Sequence, residues 1–342
     1  MRSVLRSIAA ALVLCAALPG IAVASKSSTV ERIKKNGYLR CGVNEGLTGF
    51  ASPDAKGNWS GFDVDFCRAL AAVILNDPSK VRFTPTSAKV RFTALQSGEF
   101  DILSRNTTWT MSRDVQLGLE FIAATYYDGQ GFMVPKSLKV TSAKQLNGAT
   151  VCTNTGTTTE LNLADYFRAN NLKYKIVAFE KNAEVLGAYD NGRCDAYTTD
   201  ASGLYAERLK LKKPDEHVIL PEIISKEPLG PAINHGDQPW GDVVRWTLFA
   251  LINAEELGVT SKNVDQMMKS TNPEIRRLLG VEGAFGESLG LPKDWAARAI
   301  RKVGNYGEIF ERNLGQGSQL KIKRGMNAMW NKGGVLYAPP IR

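Results

Sequence analysis

Ala94-Leu95-Gln96-Ser97-Gly98-Glu99-Phe100-Asp101 and Ala188-Tyr189-Asp190-Asn191-Gly192-Arg193-Cys194-Asp195 run the same course: a helix end, a glycine turn, then a strand that opens into a polar loop. Asn106 and Asp200 each lie eight residues beyond the glycine of their copy. Around the first copy the pattern predicts helices at Val30 to Asn36, Phe62 to Leu75 and Lys89 to Gln96, with strands at Tyr38 to Val43, Val81 to Thr84 and Phe100 to Leu103. Around the second it predicts strands at Ala149 to Thr153, Lys175 to Phe179 and Asp195 to Thr199, with helices at Leu161 to Arg168 and Asn182 to Asp190. Strands alternating with helices signify βαβ units and a largely parallel sheet, so the fold class is α/β, with one such unit set per lobe. Ligands of open parallel sheets bind outside the carboxyl ends of the strands, where both polar loops fall. Two facing mouths make a cleft.

The composition is that of an ordinary globular protein: 342 residues, 44% hydrophobic, 23% charged. A disordered, fibrous or polytopic membrane chain is excluded on those grounds. Residues 1–24 read as a signal peptide, with Arg2 and Arg6 before an apolar run from Ile8 to Leu18 and a small-x-small site at Ala22-Val23-Ala24. Without them the formal charge falls from +9 to +7, because the segment holds two arginines and no acidic residue. The remaining excess is scattered and not interleaved with aromatics, so nucleic acid is not an expected partner. Export also fits the cysteines. Beyond Cys15 there are four, Cys41, Cys67, Cys152 and Cys194, an even set that in an oxidising compartment suggests two disulfides with three pairings open. Four buried free thiols are the alternative.

The enzymatic inventory is thin. Two histidines, His217 and His235, have no partners at metal-ligand spacing, and no nucleophile elbow, phosphate loop or dinucleotide fingerprint occurs. No metal or cofactor is expected. Binding groups are better represented. The run Asn106-Thr107-Thr108-Trp109-Thr110-Met111-Ser112-Arg113 packs an amide, hydroxyls, an indole and a guanidinium together, and Arg113 offers a planar fork that can hold a carboxylate. Gly156-Thr157-Thr158-Thr159-Glu160 sets hydroxyls before a helix, where free N–H groups can receive an anion, although Thr158 can equally be a bare N-cap. Asp200 can neutralise an ammonium group. Asp63 and Asp65, at the start of the Phe62 helix, read as capping carboxylates and not as a metal pair. One cation clamp and one anion at fixed separation describe a site for a free amino acid.

Four motifs stand in order: Gly61-Phe62-Asp63-Val64-Asp65, Thr107 to Arg113, Gly156-Thr157-Thr158, and Gly192-Arg193-Cys194-Asp195 running to Asp200. Over residues 30 to about 235 the chain thereby resembles the family-3 extracellular solute-binding proteins, the periplasmic amino-acid-binding components of ABC importers. Arg105 to Thr110 and the tail Tyr337-Ala338-Pro339-Pro340 resemble the general L-amino-acid-binding subgroup. The resemblance implies a periplasmic-binding-protein-like fold, two α/β lobes joined by two crossing strands and closing on ligand as a hinge. The crossings are expected near residues 130–135 and 225–233, with lobe 1 formed by 25–131 and 230–342 and lobe 2 by 132–229. That division pairs Cys41 with Cys67 and Cys152 with Cys194.

Carried over residue by residue, the resemblance makes Arg113 the clamp on the ligand's α-carboxylate and Thr108 a lobe 1 ligand hydroxyl. Thr158, with Thr157 beside it, meets the carboxylate on closure, Asp200 binds the α-ammonium group, and Asn106 contacts that same end. Asn44 and Leu47 depart from the binders of basic amino acids, which carry an acid and a stacking aromatic there, and Arg91 stands at a pocket wall that is often apolar. Together these lean toward acidic or amide side chains. Phe50, Trp59 and Trp109 are candidates to line the pocket. The implied setting is a monomer in the periplasm that hands L-amino acids to an inner-membrane permease and its ATPase. The competing readings are a dehydratase-like periplasmic enzyme acting on a small carboxylate, with Glu45 as its best acid or base, and a detached sensory lobe.

Overall fold

A computed structural model describes residues 27–342; the expected signal peptide at 1–24 lies outside the described residues. Two five-stranded sheets share one plan. The first runs Val81–Thr86, Leu39–Asn44, Ile102–Leu103, Ala232–Asn234, Leu119–Phe121, and the second Tyr174–Phe179, Ala149–Asn154, Ala196–Asp200, Gln130–Pro135, His217–Ile219. In each, the first three strands are parallel and the fourth is antiparallel to both of its neighbours. The fourth strand is in each case reached soon after the chain passes from one sheet to the other. Between the sheets lies a two-stranded antiparallel ribbon, Tyr126–Asp128 with Glu227–Leu229. The chain is thus α/β with two lobes, and the ribbon carries both of its passages.

The helix Phe62–Leu75 explains how the first lobe is held. Twelve of its residues are buried, including Phe62, Phe66, Leu70 and Val73, and a helix apolar on every side must be covered on every side. The first sheet covers one flank; the helices Gln238–Glu256 and Trp295–Val303 cover the others, with Trp240 and Trp295 almost wholly buried. Residues beyond 258 join this same core through Leu278, Ile300, Phe310 and Leu336. The tail therefore braces the first lobe. Gly61, at φ 137°, has no room for a side chain, since a Cβ there would sit 2.0 Å from the Phe50 carbonyl oxygen.

Asp63 and Asp65 do not cap this helix. Its first free N–H groups donate instead to the carbonyls of Gly49 (2.8 Å) and Phe50 (3.1 Å), which leaves both carboxylates for other work. Asp63 accepts the backbone N–H of Asn106 (2.9 Å), and Asp65 accepts from Arg312 (2.7 Å) and Asn313 (2.7 Å), which ties down the tail.

Both disulfides are present in the pairing that the lobes imply. Cys41–Cys67 joins a strand to the Phe62 helix, and Cys152–Cys194 joins a strand to the turn before its neighbour. Among the described residues, no helix is long and apolar enough to cross a membrane.

Candidate functional site

The carboxyl ends of the two sheets face each other across a polar cavity of about 30 Å³. From the first lobe it is lined by Asn44, Leu47, Arg91, Arg105, Asn106 and Thr108; from the second by Asn154, Thr157, Thr158, Asn182, Asp200 and Glu207, among others. Side chains meet directly across it. Asn106 Nδ2 donates to Asp200 Oδ2 (3.3 Å), Asn182 Nδ2 donates to Asn44 Oδ1 (3.2 Å), and the Thr108 and Thr158 hydroxyls stand 3.3 Å apart. The lobes are therefore closed. At the rim, Lys210 Nζ donates to the Gly46 carbonyl (2.6 Å), the Asn182 N–H to Glu45 Oε1 (3.0 Å) and the Ser87 hydroxyl to Glu180 Oε1 (3.0 Å). Gly156 (φ 74°) lets the backbones touch here, because a Cβ on it would lie 3.2 Å from Lys89 Cα.

Local structure places each group. Thr110 caps the short helix Met111–Gln116 by accepting the Arg113 N–H (3.3 Å), and Arg113 Nη1 turns back to the Thr108 carbonyl (2.9 Å). Thr157, not Thr158, is the N-cap of Thr158–Ala169: it accepts the Glu160 N–H (3.1 Å). That frees the Thr158 hydroxyl. It donates to Glu227 Oε2 (2.8 Å), to which the Thr108 hydroxyl also donates. Glu227, buried on the ribbon, further accepts from Asn162 (2.7 Å) and Ser225 (2.6 Å). One ribbon carboxylate thus gathers the hydroxyls of both lobes.

The charges are dense and buried. Burial pushes the guanidinium groups of Arg105 and Arg113 down to about 10 and that of Arg91 well below the usual range. Arg91 and Arg113 both lie against the Phe92 ring, at 4.8 and 5.1 Å. On the acidic side, burial raises the Asp200 carboxyl well above the ordinary carboxylate range, with Asp128 and Glu227 adding repulsion. Burial likewise lifts Asp63 to about 7 and Asp128 to about 6. The cost of burying such charged groups is relieved when an opposite charge arrives beside them. A ligand carrying both signs does this at both poles.

Asn44, Arg91, Asn106, Thr108, Thr157, Thr158 and Asp200 meet at the cavity, and Arg113 stands behind Thr108. Phe50 does not reach it: it is 1% exposed and packs edge-on to Tyr126 and Phe62 in the first lobe's core. Trp109 stacks on Phe121 and lines a different groove with Tyr127 and Met326; Trp59 packs on Phe83. Both aromatics follow hydrophobic neighbours away from the polar cleft.

The sequence profile of the bacterial extracellular solute-binding proteins, family 3, matches residues 39–279. The chain belongs to this family. It is 64% identical to the general L-amino acid-binding periplasmic protein AapJ of Rhizobium johnstonii, over 94% of this chain and 95% of that one. It is 56% identical to the glutamate/glutamine/aspartate/asparagine-binding protein BztA of Rhodobacter capsulatus, over 94% and 96%. A solved ABC transporter periplasmic binding protein from Brucella ovis with glutathione bound superposes with a TM-score of 0.91 at 61% identity, covering 93% of this chain and all of that one. The four motifs in order in the sequence therefore led to the right family, yet sequence reasoning did not single out Glu207, Glu227, Asn154 and Asn182. Asn182 opens a helix beside the cleft, and that position was a usable signal. Glu207 and Glu227 gave none, since each reads as an ordinary surface acid.

Proposed function

We propose that this chain is the periplasmic substrate-binding component of an ABC importer, which captures free L-amino acids and delivers them to an inner-membrane permease and its ATPase. It catalyses no reaction on this reading: its named relatives are binding proteins, and Glu45, the best acid or base of an enzyme, is engaged with Asn182 at the rim. The observation that carries the proposal is a polar cavity between two lobes with a buried carboxylate, Asp200, and a buried guanidinium, Arg113, near it. These complement the ammonium and carboxylate poles that all amino acids share. The glutathione of the Brucella neighbour supports the same head-group reading, because its γ-glutamyl residue presents a free α-amino acid end.

In this reading Asp200 holds the ammonium with Asn106 beside it. Arg113 clamps the α-carboxylate, which takes over from Glu227 the hydroxyls of Thr108 and Thr158. The hinge is the ribbon of Tyr126–Asp128 and Glu227–Leu229, not the expected crossing at 130–135, because Gln130–Pro135 is already a strand of the second sheet; the lobes on this reading are 27–125 with 230–342, and 129–226. Ligand bridges both lobes only when they are closed, so binding shifts the population toward closure. Arg91 and Asn44, which line the same cavity, bias the side chain toward acids and amides.

The test is a thermal-shift panel on mature protein that has been unfolded and refolded to strip bound ligand, with the twenty L-amino acids, dicarboxylates and sugars. Ligand at a thousandfold excess over its Kd stabilises by about 4 kcal/mol, a shift of several degrees. Shifts with many amino acids are expected; no shift with any of them overturns the proposal.

A further inference from the structure

Two buried polar groups at the cavity wall are left without partners. Arg91 places one amino group 3.3 Å from the Thr107 hydroxyl, while its Nε–H has no acceptor. Across the cleft Glu207, 1% exposed, gives Oε1 to Lys210 (3.0 Å), while Oε2 has no donor. Both residues line the same cavity. An orphaned buried donor and an orphaned buried acceptor each cost free energy that a ligand can recover. They stand on opposite lobes, and closure sets both on the wall of one cavity.

We infer that Glu207 determines specificity in this site: its free oxygen accepts an N–H from the ligand side chain while Arg91 donates to that side chain's oxygen, which selects amino acids ending in a carboxamide. This rests on the amino-acid reading above. A carboxamide is the side-chain end that offers one acceptor and one donor in a plane. A carboxylate offers only acceptors, so it satisfies Arg91 and sets its second oxygen against Glu207. An aliphatic side chain satisfies neither. A site that hydrogen-bonds a ligand N–H discriminates strongly against analogues lacking it, because its own buried group is then left unpaired. Glu207 owes its position to the helix Ala201–Arg208, whose Gly203, one turn earlier, also lines the cavity. Among the described residues Lys210 is the cation paired with it, and Tyr197 and Asp200 are the other titratable groups of the second lobe at the same cavity.

The experiment is isothermal titration of the refolded mature protein and of Glu207→Gln with L-glutamine, L-glutamate and L-alanine. In the wild type glutamine should bind at least about tenfold more tightly than glutamate, the usual range for a hydrogen bond to a charged group. In Glu207→Gln, which can donate as well as accept, that ratio should fall about tenfold. A role confined to holding Lys210 at the rim would move all three ligands by one factor and leave the ratio unchanged, which would overturn the inference. A readout free of any folding effect compares glutamine with glutamate γ-methyl ester in the wild type. The ester keeps the carbonyl and loses the N–H, so equal affinities would also overturn it. Failure of every amino acid to bind the wild type would instead remove the function proposed above.

Discussion

Glu180→Ala tests whether closure itself sets the affinity. Glu180 belongs to the second lobe and touches the first only at the rim, accepting from Ser87 (3.0 Å) and standing 3.8 Å from Lys89 Nζ. Neither it nor Ser87 lines the cavity. The Lys89 contact adds little, since the two side chains are 61% and 42% exposed and solvent screens them. The bond from the buried Ser87 hydroxyl adds about 1 kcal/mol. The closed state therefore loses about 1 kcal/mol relative to the open one, a change of about fivefold in the closing equilibrium. Where closed protein is the minor species without ligand, apparent affinity falls by that same factor for every ligand, because the liganded state is the closed one and loses that contact. Calorimetry should give a Kd raised about fivefold for each amino acid that binds, and stopped-flow tryptophan fluorescence should put the change in dissociation more than in association. A double-mutant cycle with Ser87→Ala should then show the two losses to be one interaction. An unchanged Kd, or factors that differ several-fold between amino acids, would refute the reasoning: the first would mean the rim bond does not favour closure, the second that Glu180 reaches the ligand.

Arg113→Ala should weaken all amino acids by about 2–5 kcal/mol, since it strands a carboxylate in a closed cleft, and near-normal titration would dismiss it as the clamp. Asp200→Asn should weaken amino acids yet spare the matching acids that lack the ammonium group; equal loss of both would deny its role. Replacing Cys152 and Cys194 by alanine opens a loop with a separation of 42 residues, which should cost about 4 kcal/mol on the chain-entropy account and lower the denaturant midpoint; an unmoved midpoint would count against that account. Burial holds the Asp63 carboxyl near 7 against an unperturbed 3.8, so the native state keeps a proton that the unfolded chain has lost. Stability should therefore fall as pH rises from about 4 to about 7. Asp63→Asn keeps an oxygen for the Asn106 N–H without titrating, so its Tm should gain on the wild type across that window, and a constant difference would contradict the assignment.

What the sequence made legible is what neighbours in the chain decide. The helix at Asn182–Asp190 and the strand beginning near Ala149 follow from periodicity and turn residues within a few positions, and the ordered motifs identified the two-lobed fold. The polar loops after Gly98 and Gly192 led to the cavity because a parallel sheet exposes the ends of its strands there. Reading failed wherever a distant segment settles the matter. Asp63 and Asp65 sit where carboxylates cap helices, yet Gly49 and Phe50 supply the carbonyls and release them. Phe50 and Trp109 flank polar stretches but find apolar partners, which water-free packing favours over a polar cleft. Glu227 illustrates the difficulty best. Two of its hydroxyl partners, Thr108 and Thr158, lie 119 and 69 residues away, so its burial is invisible in Lys226-Glu227-Pro228. The charge balance of the cleft follows from the same assembly. Arg91, Arg105 and Arg113 come from one lobe, while Asp200 and Glu207 come from the other and Asp128 and Glu227 from the ribbon between them. Each lobe alone carries an excess of one sign at its mouth, and only closure brings the two together. Selectivity for a ligand with both charges is thus a property of the closed arrangement, which is why substitutions at the rim and at the wall should separate cleanly, the first changing all affinities together and the second changing their ratios.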